Sequence, residues 1–112
     1  MSRLHLGRRL VLEAMSRMPD GAGGYATLWQ PLGTVWAEVV AGTGRETSGV
    51  ETVLAATGYR ITVRGAPDGS LARPEAGQRF RDASRVFAIT AVAERDGRGH
   101  FLTCFATEEV RT

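Results

Sequence analysis

Asp20-Gly21-Ala22-Gly23-Gly24-Tyr25, then Trp29, then Val35-Trp36-Ala37-Glu38-Val39, is a glycine-rich loop set among short β-like runs, with both tryptophans of the chain within eight positions. Thr34 to Ala41 alternates. Val35, Ala37, Val39 and Ala41 fall on one face, and Trp36, Glu38 and Val40 fall on the other. A period of two is the mark of a half-buried strand. Tyr25 to Trp29 reads as a separate short strand, ended by Pro31 and Gly33.

The same period recurs on both sides. Upstream, Arg9 to Met15 sets Leu10, Leu12 and Ala14 against Arg9, Val11 and Glu13, before Pro19-Asp20-Gly21 turns the chain. Downstream, Tyr59-Arg60-Ile61-Thr62-Val63-Arg64 is the cleanest strand, with Tyr59, Ile61 and Val63 inward and Arg60, Thr62 and Arg64 outward. Pro67-Asp68-Gly69 predicts a turn, and Pro74 excludes a central strand around it. A short strand is expected over Gln78 to Arg81. Val86 to Glu94 and His100 to Thr107 then pair as a hairpin, because Asp96-Gly97-Arg98-Gly99 supplies positive-φ positions at little cost. Val50 to Ala56 predicts one short helix, with Ser48 and Glu51 spaced as a capping box and Gly58 as its stop.

The 14 glycines are about twice the usual share and favour turns over helix interiors. Many short strands close most readily into a barrel, because open edges invite aggregation. The expected fold is therefore mainly β: a small β-barrel of six or seven strands with long loops and one short helix. Residues 1–7 are expected as a loose arm and 8–110 as a single domain.

Composition narrows the function. All 14 basic residues are arginine, and the net charge of +2 is spread along the chain, which is not the clustered basic footprint of a nucleic-acid binder. No apolar run approaches the ~20 residues that span a bilayer. Leu10-Val11-Leu12, after Arg8-Arg9, is too short for a signal-peptide core. The lone Cys104 cannot form an intrachain disulfide and sits in an apolar run, so it reads as a buried structural thiol.

No catalytic group, metal site or cofactor is expected. His100 and Cys104 share a strand face, but two ligands do not complete a zinc site. Ser48 and Ser84 lack the strained elbow of a hydrolase nucleophile. Glu108-Glu109 point to opposite faces and read as a solvated tail. Gly21-x-Gly23-Gly24 lacks the Lys and Ser/Thr of a phosphate loop. A small barrel that binds nucleic acid through basic residues and stacking aromatics is the alternative from another class; here the aromatics of the strands fall opposite the arginines, as core residues would.

The ordered set of pieces resembles the phage head–tail joining proteins, the head-closure or stopper subunits. The pieces are Leu10-Val11-Leu12-Glu13, Asp20-Gly21-x-Gly23-Gly24, Trp29, Val35-Trp36-Ala37-Glu38-Val39, Gly44-Arg45-Glu46, Tyr59-Arg60-Ile61-Thr62-Val63-Arg64, Gln78-Arg79-Phe80, Arg85-Val86-Phe87-Ala88-Ile89 and Phe101-Leu102-Thr103-Cys104. The Arg- and Ala-rich closing half looks most like versions carried by alphaproteobacterial prophages and gene transfer agents.

The resemblance implies a small barrel without catalysis, in the neck of a phage-like particle assembled in the host cytoplasm. It implies a homo-oligomeric ring of six or twelve copies. A portal or head–tail adaptor ring would lie on one side and a tail terminator or tail tube on the other. Packaged double-stranded DNA would pass through the lumen without sequence recognition, and no membrane would take part. Another neck ring, such as a tail terminator or head-completion subunit, is the nearest alternative. On the same footing, Gly42, Gly44, Arg45, Glu46 and Gly49 are candidates for a loop facing the lumen or a neighbour. Arg60 and Arg64 are candidates for subunit contacts, and Trp29, Trp36, Tyr59 and Phe87 for structural anchors.

Overall fold

The computed structural model describes residues 4–42 and 57–109. Within them the chain runs as six strands: β1 (Arg8–Pro19), β2 (Tyr25–Ala41), β3 (Thr57–Arg64), β4 (Arg79–Asp82), β5 (Arg85–Glu94) and β6 (Phe101–Glu108). Every pairing is antiparallel, and the order β1-β2-β3-β6-β5-β4 closes on itself as a barrel. The short helix expected over residues 50–56 lies outside the described residues.

Alternation along each strand builds one interior. Leu10, Leu12, Ala37, Ile61, Val63, Phe80, Phe87, Ile89, Leu102, Cys104 and Ala106 form a single buried cluster, with Val35, Val39, Tyr59 and Val92 packed against it. Burial pushes the Cys104 thiol up to about 12, so it remains protonated and inert.

The two strands expected on either side of Pro31 are one. β2 runs 17 residues without a break. Proline was expected to stop it because the ring removes a ladder donor. Here Pro31 sits at a bulge: the register steps from Leu12↔Gly33 to Glu13↔Pro31, which leaves Leu32 unopposed. Gly33 takes a positive φ of 155° beside that step. Bulges are where a strand accommodates proline and changes direction.

The bulge also marks the end of the barrel wall. β1 pairs with β4 only over Val11–Glu13, and β2 pairs with β3 only over Ala37–Ala41. Beyond Glu13 and Pro31, the two strands pair only with each other as far as Pro19↔Tyr25. They form a two-stranded hairpin arm that extends past the barrel. Its tip is closed by Asp20, whose Oδ1 accepts hydrogen bonds from the N–H groups of Ala22 (2.8 Å) and Gly24 (3.0 Å). Those two donors hold the Asp20 carboxyl below its ordinary value.

β5 carries a second irregularity. The register slips between Ile89 and Ala91, and the Thr90 hydroxyl donates to the Phe105 carbonyl at 3.1 Å. Between β3 and β4, the turn at residues 67–70 closes through the Ser70 N–H donating to the Pro67 carbonyl, and Pro74 is fully buried. Gly65 is required by close approach. Its N–H donates to the His100 carbonyl at 2.8 Å, and a Cβ there would run into the Gly99 carbonyl oxygen.

Candidate functional site

Three regions of the surface carry chemistry. The first is the seam that closes the barrel, where β1 and β4 share only three residue pairs. Glu13 lies on the outer face there, as alternation predicts, yet its side chain is only 2% exposed. Arg79 and Arg81 cover it from β4. Arg79 Nε donates to Glu13 Oε1 at 2.6 Å, and Arg81 Nε donates to Oε2 at 2.9 Å. Burial pushes the Glu13 carboxyl up, but the two arginine hydrogen bonds and charges outweigh it and hold the group below its ordinary value. Arg79 in turn lies 4.1 Å over the Trp29 ring. At the same seam Arg8 pairs with Asp82 at 2.9 Å. The ion cluster ties β1 to β4 where backbone pairing is sparsest.

The second is a polar triad across β3, β5 and β6. Arg85 donates to both carboxylate oxygens of Glu108, at 2.8 and 3.0 Å, and the Tyr59 hydroxyl donates to Glu108 Oε1 at 2.9 Å. Hydrogen bonding from Arg85 holds the Glu108 carboxyl below its ordinary value. Burial, and then Glu108, push the Tyr59 hydroxyl up. Arg85 also lies 5.0 Å over the Phe87 ring. The expectation that Glu108 belongs to a solvated tail is corrected, because β6 runs one residue further and delivers it to Arg85. The expectation that aromatics and arginines keep to opposite faces holds along β3, where Tyr59 packs inward and Arg60 and Arg64 stand outward, but fails for Arg85 with Phe87 and between strands. Arginines stack on Trp29, Tyr59 and Phe87, and Arg79 and Arg85 are at the same time held by carboxylates. Rings covered in this way do not form an open platform for bases. Only side-chain packing could have revealed these clusters, since their paired charges lie 23 to 74 positions apart.

The third region is the outer wall together with the arm. Arg60 and Arg64 both point outward from β3 and are exposed, and neither makes an ion pair with a described residue. They do not share one depression. Arg60 lines a groove of about 680 Å³ with Glu38, Val40, Glu94 and Phe105, and Arg64 lines a smaller one with Trp36, Thr34 and Ala72. Trp36 is 56% exposed and fills no core position, because the alternation that buries Val35 and Ala37 turns it outward. Trp29 is half-buried under Arg79 at the root of the arm. Tyr59 meets Phe87 edge-on with ring centroids 5.0 Å apart, and Phe87 is fully buried. Of the candidate loop, Gly42 is described, its N–H donating to the Gly58 carbonyl. Gly44, Arg45, Glu46 and Gly49 lie outside the described residues.

His100 and Cys104 are not brought together. Cys104 is buried in the core, whereas His100 is exposed beside Asp96, with Nδ1 3.8 Å from its carboxylate. Among the described residues, no three His, Cys, Asp or Glu side chains converge as metal ligands, and no helix is long and apolar enough to cross a membrane.

The fold is a small antiparallel barrel with a hairpin arm, its wall braced by polar clusters and several of its large apolar residues exposed on the arm. Over residues 1–109 the sequence matches the phage head completion protein family, and the chain belongs to that family of virion components. A chain from the virion of a native gene transfer agent particle is 53% identical and superposes with a TM-score of 0.79, covering 98% of this chain and 100% of that one. A solution structure of a Shigella flexneri 2a protein shares the fold at 22% identity, with a TM-score of 0.71 and full coverage of both chains. No curated protein matches.

Proposed function

We propose that this protein is the head-closure subunit of a phage-like particle. It assembles as a ring between the portal–adaptor complex and the tail, retains the packaged double-stranded DNA and offers the docking face for the tail. The observation that carries this reading is the family match, together with 53% identity to a chain of a gene transfer agent virion. The surface agrees with it. Arg60 and Arg64 stand on the outer wall without intramolecular ion pairs to described residues, as subunit contacts require, and the role needs no catalytic group.

Electron microscopy of particles from a strain lacking the gene tests the proposal. The expected result is heads that fill and then lose their DNA, beside unattached tails. Normal, complete particles would overturn it.

A further inference from the structure

Strand order gathers on the outer wall charges that the sequence spreads. Arg9 on β1 is paired with Trp36 on β2. Trp36 and Arg64 of β3 line one small groove. Arg64 is paired with Phe101 on β6, and its guanidinium lies 5.9 Å from the centre of that ring. The N–H of Arg95, one residue past β5, donates to the Phe101 carbonyl at 2.9 Å. Arg9, Trp36, Arg64 and Phe101 each stand beside a buried neighbour, respectively Leu10, Ala37, Val63 and Leu102, so alternation turns all four outward. Because β1, β2, β3, β6 and β5 are successive in the barrel, the five residues form one row. In the order Arg9, Trp36, Arg64, Phe101, Arg95, cation and aromatic alternate across about 19 Å of wall.

The three arginines of the row are exposed and make no ion pair with a described residue. No acidic side chain stands among them. The acids of the wall lie off the row: Glu38, which accepts the His5 N–H at 3.2 Å, and Glu94. Asp96, next to Arg95, accepts the Arg98 N–H and faces His100. Basic residues gathered on one face are the electrostatic footprint of a nucleic-acid site.

The row also narrows the ligand. A second copy of this chain has no matching row to offer. The described acids that form no ion pair with described residues, Asp20, Glu38, Glu75, Glu94 and Glu109, lie on five different segments. A track for unstacked bases needs successive open rings, whereas Phe101 lies under Arg64 and leaves Trp36 as the open one. Duplex DNA needs neither. It carries a negative charge about every 1.7 Å of its axis, so a row of cations meets phosphates whatever the sequence.

We infer that Arg9, Arg64 and Arg95 form a binding surface for the phosphate backbone of double-stranded DNA, with Trp36 and Phe101 spacing the cations. The choice of DNA rests on the head-closure reading above, which puts packaged DNA beside this chain, and the inference names the face turned toward it. Arg64 then contacts DNA, and Arg60, on the neighbouring part of β3, is left to the subunit contact.

The test is fluorescence anisotropy of a short fluorescein-labelled duplex of mixed sequence, titrated with the purified full chain over a series of salt concentrations. Three phosphate contacts give a log K against log salt slope of about −2.7, or about −0.9 for each arginine. Arg9→Gln, Arg64→Gln and Arg95→Gln should each make the slope shallower by about 0.9 and leave the melting temperature unchanged. Arg17→Gln, which removes the same charge from the arm, should leave the slope as it was. No binding at low salt, a slope indifferent to the three row variants, or an equal loss from Arg17→Gln would overturn the inference. So would tighter binding of the single strand, which would point to bases, or equal competition by polyglutamate, which would point to an acidic protein. None of those outcomes moves the chain out of the neck, so the head-closure reading fails separately, by complete particles forming without the gene.

Discussion

β1 and β2 belong to two different environments along their own length. Up to the bulge at Leu12/Glu13 they are barrel wall, flanked by β4 and β3, with Leu10, Leu12 and Ala37 sealed inside. Past it they pair only with each other, and Met15, Met18, Tyr25 and Leu28 face solvent. The two halves have similar composition and the same strand geometry. The difference lies in what flanks them: an apolar side chain in the closed half is surrounded on all sides, while one in the arm has a neighbour only along the ribbon. Stability should reside in the barrel, and little of it in the arm.

That contrast can be broken by substitution, starting where burial is deepest. Phe87→Ala empties a fully buried site beneath Arg85 and Tyr59 and should cost about 3–5 kcal/mol in urea unfolding. A loss no larger than that of exposed Trp36→Ala, about 1 kcal/mol or less, would show that the barrel core is not where stability resides. Gly65→Ala drives a Cβ into the Gly99 carbonyl, so one strand end must shift; a loss of about 2–3 kcal/mol is expected in the same measurement.

Arg79→Met tests the seam. It leaves the buried Glu13 carboxylate with Arg81 alone and should destabilise by about 2 kcal/mol, less than removing every partner of a buried charge would. The seam and the triad together set a pH dependence. Glu13 and Glu108 titrate below their ordinary value of 4.5 in the folded chain. Their contribution is therefore complete above that pH and is lost as the pH falls through the folded values. Melting temperature should drop below about pH 4.5, and Glu13→Gln should flatten that drop while lowering stability at neutral pH.

The smallest effect belongs to the arm. Met18→Ser and Leu28→Ser should each change the unfolding free energy of the isolated chain by about 0.5 kcal/mol or less. A core-sized loss there would mean that the arm is folded against something within its own chain.

Much of this architecture was legible because β structure writes itself in a period of two. The inward sets Leu10/Leu12, Ile61/Val63 and Leu102/Cys104 can be read directly from alternation, and the hairpin around Asp96-Gly97 from its turn residues. Where reading failed, the cause was mostly long-range. Pro31 looked like a strand end because local rules count the missing donor, and they cannot see a bulge opposite Leu12 that has no use for it. Trp36 looked like an anchor by its size, although its place in the alternation already turned it outward. Glu108 looked like a tail because its partner, Arg85, sits on another strand.

The amino-acid sequence by itself determined that this chain is β, which face of most strands is apolar, where the turns fall, and that no transmembrane apolar stretch is present. Those properties depend on neighbours one or two positions apart. Tertiary structure alone decided that β1 and β2 leave the barrel together as an arm, that Glu13 is buried beneath two arginines, and that Met15, Met18, Tyr25 and Leu28 stand exposed on that arm. Each of these depends on which strand lies alongside another. Such pairing is set by closing the whole barrel over one core, and not by any stretch of chain read alone.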